Sequence, residues 1–360
     1  MTQSPPRAWA EIDLSALRHN LSAARAQSGQ KIMAAVKGDA YGHGLVKVSQ
    51  ALDNEGLSYL GVANATEARR LAEAGIKTPL YILGATLPAE RAEIAAHGWT
   101  PCLCSLDEIE HFDQLGRDQP ISAHLALDTG MGRGGFLPDQ LETALEKIKT
   151  CAGIKLTGIG SHLPVADEDP IFTKKQFDLF DSLVKKALID QDFLIHLGNS
   201  AGLLNFTSST TNMVRPGLLL YGISPLPEHQ GLLKPVMTLK TRVSVINELP
   251  AGHGVSYGRT ILMRDTKTAV LGIGYGDGYP RSLSGSNAYV LIQGQACPLL
   301  GRVTMDQIIV DVTDLDECQP GDEAILFGKD LLVSDLAQQA GTIAWEVLTQ
   351  ITPRVTRVYL

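Results

Sequence analysis

Lys31-Ile-Met-Ala-Ala-Val-Lys37-Gly-Asp-Ala-Tyr41-Gly-His-Gly44 is the stretch on which the reading of this chain turns. Ile32 to Val36 form an apolar run of strand character, and Gly38, Gly42 and Gly44 then break the pattern into a tight turn. Lys37 therefore stands where a hydrophobic strand, read as 31–37, stops. Such a lysine is either a solvated edge charge or an amine on a rigid element at a pocket rim. In the second case it can form a Schiff base and carry protons.

Outward from this stretch, Leu14, Leu17, Leu21 and Ala24 recur at helical spacing over 13–27, with Asp13 as N-cap. On the other side a rhythm of short apolar strand and amphipathic helix sets in. Strands are read at 59–63, 79–84, 99–103, 121–128, 154–160, 193–197 and 213–220. Helices are read near 43–56, 65–75, 88–97, 105–116, 138–150 and 170–190, and the gap from Ser200 is less clearly helical. With 31–37 this makes eight alternating units, which implies parallel pairing and a closed (β/α)8 barrel of the TIM type over 11–230. The alternative, an open doubly wound sheet, would announce itself by a glycine-rich phosphate loop after its first strand. Lys37-Gly-Asp-Ala-Tyr-Gly does not fit that fingerprint.

The rhythm fails after residue 222, where Pro225, Pro227 and Pro235 mark a boundary. Over 231–360, runs at 241–249, 268–273, 289–293, 307–312 and 323–327 describe a mainly antiparallel β-domain with helical patches at 334–340 and 345–350. Residues 7–12 are expected to pair with it.

Composition narrows the class. A net charge of −8 without a basic stripe argues against nucleic acid as partner. Met1 to Trp9 is polar and proline-containing, so neither a secretion signal nor a membrane span is expected. The 5 cysteines are scattered and odd in number, and Cys102-Leu-Cys104 lacks a second pair for zinc. No metal site and a reducing, cytoplasmic setting follow as expectations.

In a barrel of this kind chemistry belongs to the carboxyl ends of the strands. There stand Lys37 and Tyr41, then Asp128-Thr-Gly-Met-Gly-Arg133, Ser161 and His162, Gly198-Asn199-Ser200, and Arg215-Pro-Gly217-Leu218. Singly each is unremarkable, since a strand-end arginine is usually solvated and a lone histidine usually structural. Their shared face is what the bland reading handles poorly. The last two strand ends are where such barrels hold phosphate, and an amine beside a phosphate cup suits pyridoxal 5′-phosphate. The second domain adds Tyr257 in the glycine-flexed loop Gly252-His-Gly-Val-Ser-Tyr257-Gly-Arg.

In order, Ala35-Val-Lys-Gly-Asp-Ala-Tyr-Gly-His-Gly44, Asp128-Thr-Gly-Met-Gly-Arg133, Gly198-Asn-Ser-Ala201, Arg215-Pro-Gly-Leu218, Val255-Ser-Tyr-Gly258, Gly274-Tyr-Gly-Asp-Gly278 and Gly301-Arg-Val-Thr-Met-Asp306 resemble the motifs of the alanine racemases. They span nearly the whole chain, and their order is far more specific than any one of them. The resemblance implies interconversion of L- and D-alanine with pyridoxal 5′-phosphate, supplying D-alanine for cell-wall peptidoglycan. It implies that Lys37 holds the cofactor and serves as one base. Tyr257, from the neighbouring subunit of a head-to-tail homodimer with shared active sites, would be the other base on the opposite face. Removing the α-proton from one face and returning one to the other inverts the carbon.

A free phenol titrates near ~10, and the resemblance links His162 to both Tyr257 and Arg215, where it would supply positive charge favouring the phenolate. Arg215 would face the pyridine nitrogen; a guanidinium cannot donate a proton as a carboxylic acid would, which limits transamination. Arg133 would contact the cofactor's phenolic oxygen and the substrate carboxylate, and the backbone of Met305 and Asp306 from the partner would complete carboxylate recognition. Tyr41, Ser200, Gly217 and Leu218 would hold the phosphate, with Asn199 among the cofactor-binding residues. Asp167, Tyr275, Arg281 and Arg302 match positions lining the substrate entrance.

Three departures stand out. Ala126 occupies the position where some members carry a carbamylated lysine that pairs with the arginine, so Arg133 needs another partner. Pro353 stands where many relatives have a phosphate-binding tyrosine, and Thr304 where some have cysteine. On the residues alone, a racemase of another small amino acid such as serine stays open. So does a pyridoxal phosphate-dependent decarboxylase of related architecture, although Arg215 stands where those enzymes place a carboxylate. A non-enzymatic pyridoxal phosphate-binding barrel leaves the second domain with Tyr257 unexplained.

Overall fold

The apolar run after Lys31 is flanked on both sides by parallel strands as short as itself, which is how a fully buried strand satisfies its backbone. The structure, a computed structural model, describes residues 6–187 and 192–360. Its first domain has the strands Lys31–Ala35, Tyr59–Val62, Leu80–Ile82, Cys102–Leu103, Ile121–Ala126, Ile154–Gly160, Leu194–His196 and Met213–Val214. The first pairs with the eighth, Lys31 opposite Met213 and Ile32 opposite Val214. The third and fourth meet through a parallel bridge of Tyr81 and Thr100, where Ile82 N donates to Thr100 O and Thr100 N to Leu80 O, both at 3.0 Å. The expected (β/α)8 barrel is thereby closed. Met33, Tyr59, Tyr81 and Met213 fill its interior, together with the buried rings of His124 and His196.

Elements begin and end where local chemistry dictates. The first helix runs Leu14–Ser28; Asp13 caps it by accepting from Ser15 N and Ala16 N, and Gly29 leaves it at φ 62°. The eighth strand, read as 213–220, stops at Val214. Pro216 has no N–H to offer, and the chain turns at Gly217 into a 3₁₀ turn at Leu218–Tyr221. The fourth, read as 99–103, shortens to Cys102–Leu103. Helices 43–56 and 170–190 appear as Leu45–Leu52 and Pro170–Lys186; residues 188–190 of the second reading lie outside the described residues. The gap from Ser200 does hold a helix, Ser200–Asn205, capped by Asn199, whose Oδ1 accepts from Gly202 N.

In the second domain, Thr266–Leu271, Ile308–Asp311, Gln295–Leu300, Tyr289–Ile292, Glu323–Phe327 and Met237–Leu249 are successive antiparallel neighbours. Met237–Leu249 also pairs with Thr266–Leu271, so these strands form a closed ring. The strand Ala8–Ile12 joins outside it, antiparallel to Met237–Leu249 and parallel to Thr356–Tyr359. Glu11 and Ile12 thus lie opposite Thr238 and Met237 and do not open the barrel. The strands Gln295–Leu300 and Thr356–Tyr359 and the hairpin of Gly254–Val255 with Thr260–Ile261 carry no clear pattern in the sequence. The helix Ala344–Gln350 packs on the turn after Lys37. A Cβ on Gly42 would run into the Leu348 carbonyl oxygen, and one on Gly38 would sit 3.7 Å from Thr349 Cγ2.

Candidate active site

The first strand ends at Ala35, and Lys37 opens a turn of unusual hand. Gly38, Asp39, Ala40, Tyr41 and Gly42 have φ of 65°, 53°, 55°, 53° and 79°. This left-handed turn is closed by Ala40 N to Val36 O at 2.8 Å and Gly42 N to Gly38 O at 2.9 Å. Each residue with a side chain costs ~1–2 kcal/mol in this conformation, so the turn must be held from outside. Glu67 Oε1 accepts from Gly38 N (2.8 Å) and Asp39 N (3.2 Å), Asp39 Oδ1 accepts from Leu45 N (3.1 Å), and Arg357 Nη2 donates to Gly42 O (2.9 Å). The turn delivers Lys37 to the barrel mouth. Burial lowers the proton affinity of its amine; Arg133 and Arg215 add to this and Glu67 opposes it.

Tyr41, at the end of the turn, stacks on Tyr221 with centroids 4.7 Å apart, and Tyr221 is anchored by its hydroxyl donating to Ala35 O at 3.0 Å. Burial pushes Tyr41 up to about 12, which keeps its hydroxyl a proton-bearing donor. That hydroxyl points at Gly217 so closely that a Cβ there would overlap it. Ser200 Oγ accepts from Gly217 N (3.0 Å) and Leu219 N (3.3 Å). Tyr41, Ser200, Gly217 and Leu218 are therefore gathered at one point. Asn199 Nδ2 ties this corner to Leu163 O at 3.3 Å.

Arg215 is buried, and every bond it makes is to a neutral acceptor. It donates to Ser161 O (2.6 Å), Leu197 O (3.3 Å), His196 Nδ1 (2.6 Å) and His162 Nδ1 (3.1 Å). A guanidinium only donates, so Nδ1 of both histidines is the acceptor and their protons sit on Nε2. His196 Nε2–H in turn donates to His124 Nδ1 at 2.9 Å. Burial, reinforced by Arg215, pushes His162 and His124 down to about 3 and His196 well below its ordinary value. His162 is therefore neutral, which corrects the expectation that it supplies positive charge; that charge belongs to Arg215.

After the fifth strand, the Asp128 carboxylate accepts from Gly130 N, Met131 N and Gly132 N, each at 2.8 Å, and folds the loop that carries Arg133. Among the described residues Arg133 makes no ion pair. Ala126 offers it none. Asp167 is exposed on the loop after the sixth strand. Lys37, Arg133 and Arg215 make this mouth receptive to an anionic ligand.

The remaining predicted residues sit elsewhere. Tyr257, at the tip of its hairpin, is 69% exposed, and Tyr275, Met305, Arg281 and Arg302 are exposed as well. Ser256 Oγ donates to Arg302 O at 2.6 Å, which fixes the tip. The Met305–Asp306 loop is braced by Gly276 N to Met305 O (2.8 Å), by Arg354 to Asp306 Oδ1 (2.7 Å), and by Arg7 to Asp306 O. Among the described residues, no hydrogen bond, ion pair or ring contact joins this set to the barrel mouth.

Pro353 lies in an exposed turn beside Asp277, with Thr352 N donating to Asp277 O at 3.0 Å. A proline side chain carries no hydrogen-bond donor, so it cannot replace the hydroxyl of a phosphate-binding tyrosine. Thr304 Oγ1 is spent on Gln307 O at 2.8 Å. Sequence reasoning missed Glu67, Tyr221 and His196. For Glu67 a signal existed, since Asn64-Ala-Thr-Glu67 reads as a helix start; for the other two there was none.

The model of the alanine racemase N-terminal domain matches residues 12–225, and that of the C-terminal domain matches residues 236–359. An alanine racemase of Methylacidiphilum infernorum is 40% identical over 363 residues, which cover 98% of this chain and 93% of that protein. Two solved structures superpose on 99% of this chain and 100% of their own. One is a biosynthetic alanine racemase from Pseudomonas aeruginosa, with TM-score 0.91 and 32% identity. The other is an alanine racemase from Bartonella henselae with covalently bound pyridoxal phosphate, with TM-score 0.91 and 30% identity.

Proposed function

The chain belongs to the alanine racemase family and interconverts L- and D-alanine, and on that premise we propose that pyridoxal 5′-phosphate sits at the barrel mouth and that two copies complete each site. The observation that carries the cofactor reading is the pairing of a desolvated amine, Lys37, with a cradle at Gly217 that any side chain would fill. The Bartonella henselae relative supports it. Tyr41, Ser200 and the backbone at Gly217 and Leu218 would hold the phosphate, and Asn199 fixes the helix start behind them. Arg215 would face the ring nitrogen, donating hydrogen bonds and surrendering no proton. Arg133 would meet the phenolic oxygen and the substrate carboxylate.

When bound, the cofactor supplies an electron sink that acidifies the α-proton of alanine. Lys37 Nζ, its proton affinity already lowered, exchanges that proton on one face. Tyr257 Oη of the second copy exchanges one on the other, and the direction of reaction decides which takes and which gives. His162, with its proton on Nε2, is the donor available to that phenol oxygen. Met305 and Asp306 of the second copy would present backbone to the carboxylate, and Asp167, Tyr275, Arg281 and Arg302 would rim the entrance.

Exposed apolar side chains support the dimer. Tyr257, Ile261, Met263, Tyr275 and Met305 protrude from the second domain, and Leu87, Leu106, Leu137 and Ile171 from the loops and first helical turns that follow barrel strands. A two-fold arrangement covers both sets and brings Tyr257 to the other chain's Lys37. We place the enzyme in the cytoplasm, where its 5 free cysteines stay reduced, and assign its D-alanine to peptidoglycan. No helix is long and apolar enough to cross a membrane, and no metal-binding cluster occurs among the described residues. The guanidinium of Arg215 disfavours the decarboxylase alternative.

Complementation tests the shared site. Lys37→Ala and Tyr257→Phe chains, each inactive alone, are mixed, exchanged and assayed by chiral chromatography on L-alanine, L-serine and L-lysine. Half of the dimers are then mixed, each with one intact site, so alanine activity returns to about a quarter of wild type. No recovery, with dimers exchanged, overturns the shared site. Little product from lysine is expected, and serine turnover measures the breadth of the pocket.

A further inference from the structure

Three consecutive barrel helices open with the same device. The carboxylate of Glu67 accepts from Ala63 N (2.9 Å), just before its own helix, and from Gly38 N (2.8 Å) in the preceding strand-to-helix loop. Glu90 does the same with Leu87 N (3.0 Å) and Ala65 N (3.3 Å). Glu108 repeats it with Cys104 N (2.6 Å) and Thr86 N (2.6 Å). These side chains lace the first four loops of the barrel mouth to one another. Of the three, Glu67 laces the left-handed turn that starts one residue beyond Lys37.

We propose that Glu67 is a positioning residue for Lys37, pinning the strained turn behind the amine and setting the charge balance in which it works. This rests on the reading that Lys37 holds the cofactor. The groups facing the amine are Arg133 from the fifth loop, Arg215 just past the eighth strand, neutral His162 from the sixth loop, and Glu67. Asp39, the other nearby carboxylate, is turned to Leu45 N and to Arg70 at 3.1 Å. Glu67 is thus the anion that offsets two guanidinium groups. Its bonds to Gly38 N and Asp39 N also fix the peptides between the amine and Tyr41. Loss of the carboxylate removes both the geometric pin and the charge.

The test uses the full-length chain without added cofactor. The pH dependence with which Lys37 is reductively alkylated by formaldehyde and cyanoborohydride gives its titration midpoint, located by peptide mass. Affinity for pyridoxal phosphate is measured separately. Glu67→Gln is expected to lower the midpoint by about half to one pH unit and to weaken cofactor affinity about tenfold. Glu90→Gln, the same device one loop further on, is expected to lower thermal stability comparably and to move neither readout. Equal midpoint and affinity in Glu67→Gln and wild type overturn the proposal, as does an equal shift in Glu90→Gln. Should Glu67→Gln fail to fold, Glu67→Asp carries the test. It keeps the charge and shortens the reach, so the midpoint holds while affinity falls, and unchanged affinity overturns the proposal. A chain that binds no pyridoxal phosphate refutes the cofactor reading, while the amine midpoints still decide on Glu67.

Discussion

Replacing Gly217 with alanine tests the corner proposed above for the phosphate. The new methyl would overlap the Tyr41 hydroxyl and lie 3.1 Å from its Cζ. Neither side can retreat freely. The Tyr41 ring is stacked on Tyr221 at 4.7 Å, Tyr221 is tethered to Ala35 O at 3.0 Å, and the Tyr41 backbone is fixed in its left-handed turn at φ 53°. Gly217 N is in turn held by Ser200 Oγ at 3.0 Å. Overpacking without an easy route of relief costs about 1–3 kcal/mol. The displaced group is the one assigned to the phosphate, so the same energy should appear as roughly a 5- to 150-fold loss of cofactor affinity. Titrating the cofactor-free chain with pyridoxal phosphate, followed by absorbance, measures this. In a Tyr41→Phe background the overlapping oxygen is gone, and Gly217→Ala should cost much less; the shortfall is the coupling between the two sites. An affinity within about twofold of wild type, in a folded Gly217→Ala protein, would refute the placement of the phosphate at this corner.

Three further outcomes follow from the same geometry. His43, pushed down to about 4 by burial, joins His124, His162 and His196 as imidazoles that the fold keeps neutral. Unfolding therefore takes up protons as pH falls below about 6.5, and stability should drop through that window by up to ~1.4 kcal/mol per pH unit for each imidazole. Urea midpoints that stay flat between about pH 7 and about pH 5 would contradict this. Gly42→Ala, which forces a methyl into the Leu348 carbonyl at φ 79°, should destabilise by more than about 2 kcal/mol, and an unchanged melting temperature would count against the packing of the C-terminal helix on the turn. Tyr257→Phe alone should cut alanine racemisation by at least ~10²-fold while leaving the fold and cofactor affinity intact, because its side chain is 69% exposed on its own subunit; near-normal turnover would remove Tyr257 from the mechanism.

The barrel was legible because its signal is periodic. Eight apolar runs separated by amphipathic helices admit few other closures, and capping residues such as Asp13 announce themselves locally. What the sequence hid depends on partners distant along the chain. Strand Gln295–Leu300 contains Pro298 and shows no alternating pattern, yet it is fixed by its neighbours Tyr289–Ile292 and Ile308–Asp311. The left-handed hand of the turn 38–42 is unreadable locally, since Asp39, Ala40 and Tyr41 do not favour it; Glu67, Arg357 and Leu348 impose it from other elements. At the site, residue identity located the mouth of the barrel, but protonation did not follow from identity. His162 looks like a source of charge until its burial against Arg215 is seen.

The pairing of Ala8–Ile12 with Met237–Leu249 and Thr356–Tyr359 has a consequence for biosynthesis on the ribosome. At about 5–20 residues per second, the nascent amino-terminal segment waits roughly ten to fifty seconds for its first neighbour, an open strand edge throughout. Thr356–Tyr359, later still along the chain, then brings Arg357 to Gly42 O and Tyr359 to His43 O at 3.2 Å, which holds the turn behind Lys37 from a second side. A chain without that strand keeps the Glu67 bonds to the turn but lacks the hold from Arg357. On the proposed cofactor reading, polypeptides that stop short of Thr356 should therefore compete poorly for vitamin B6.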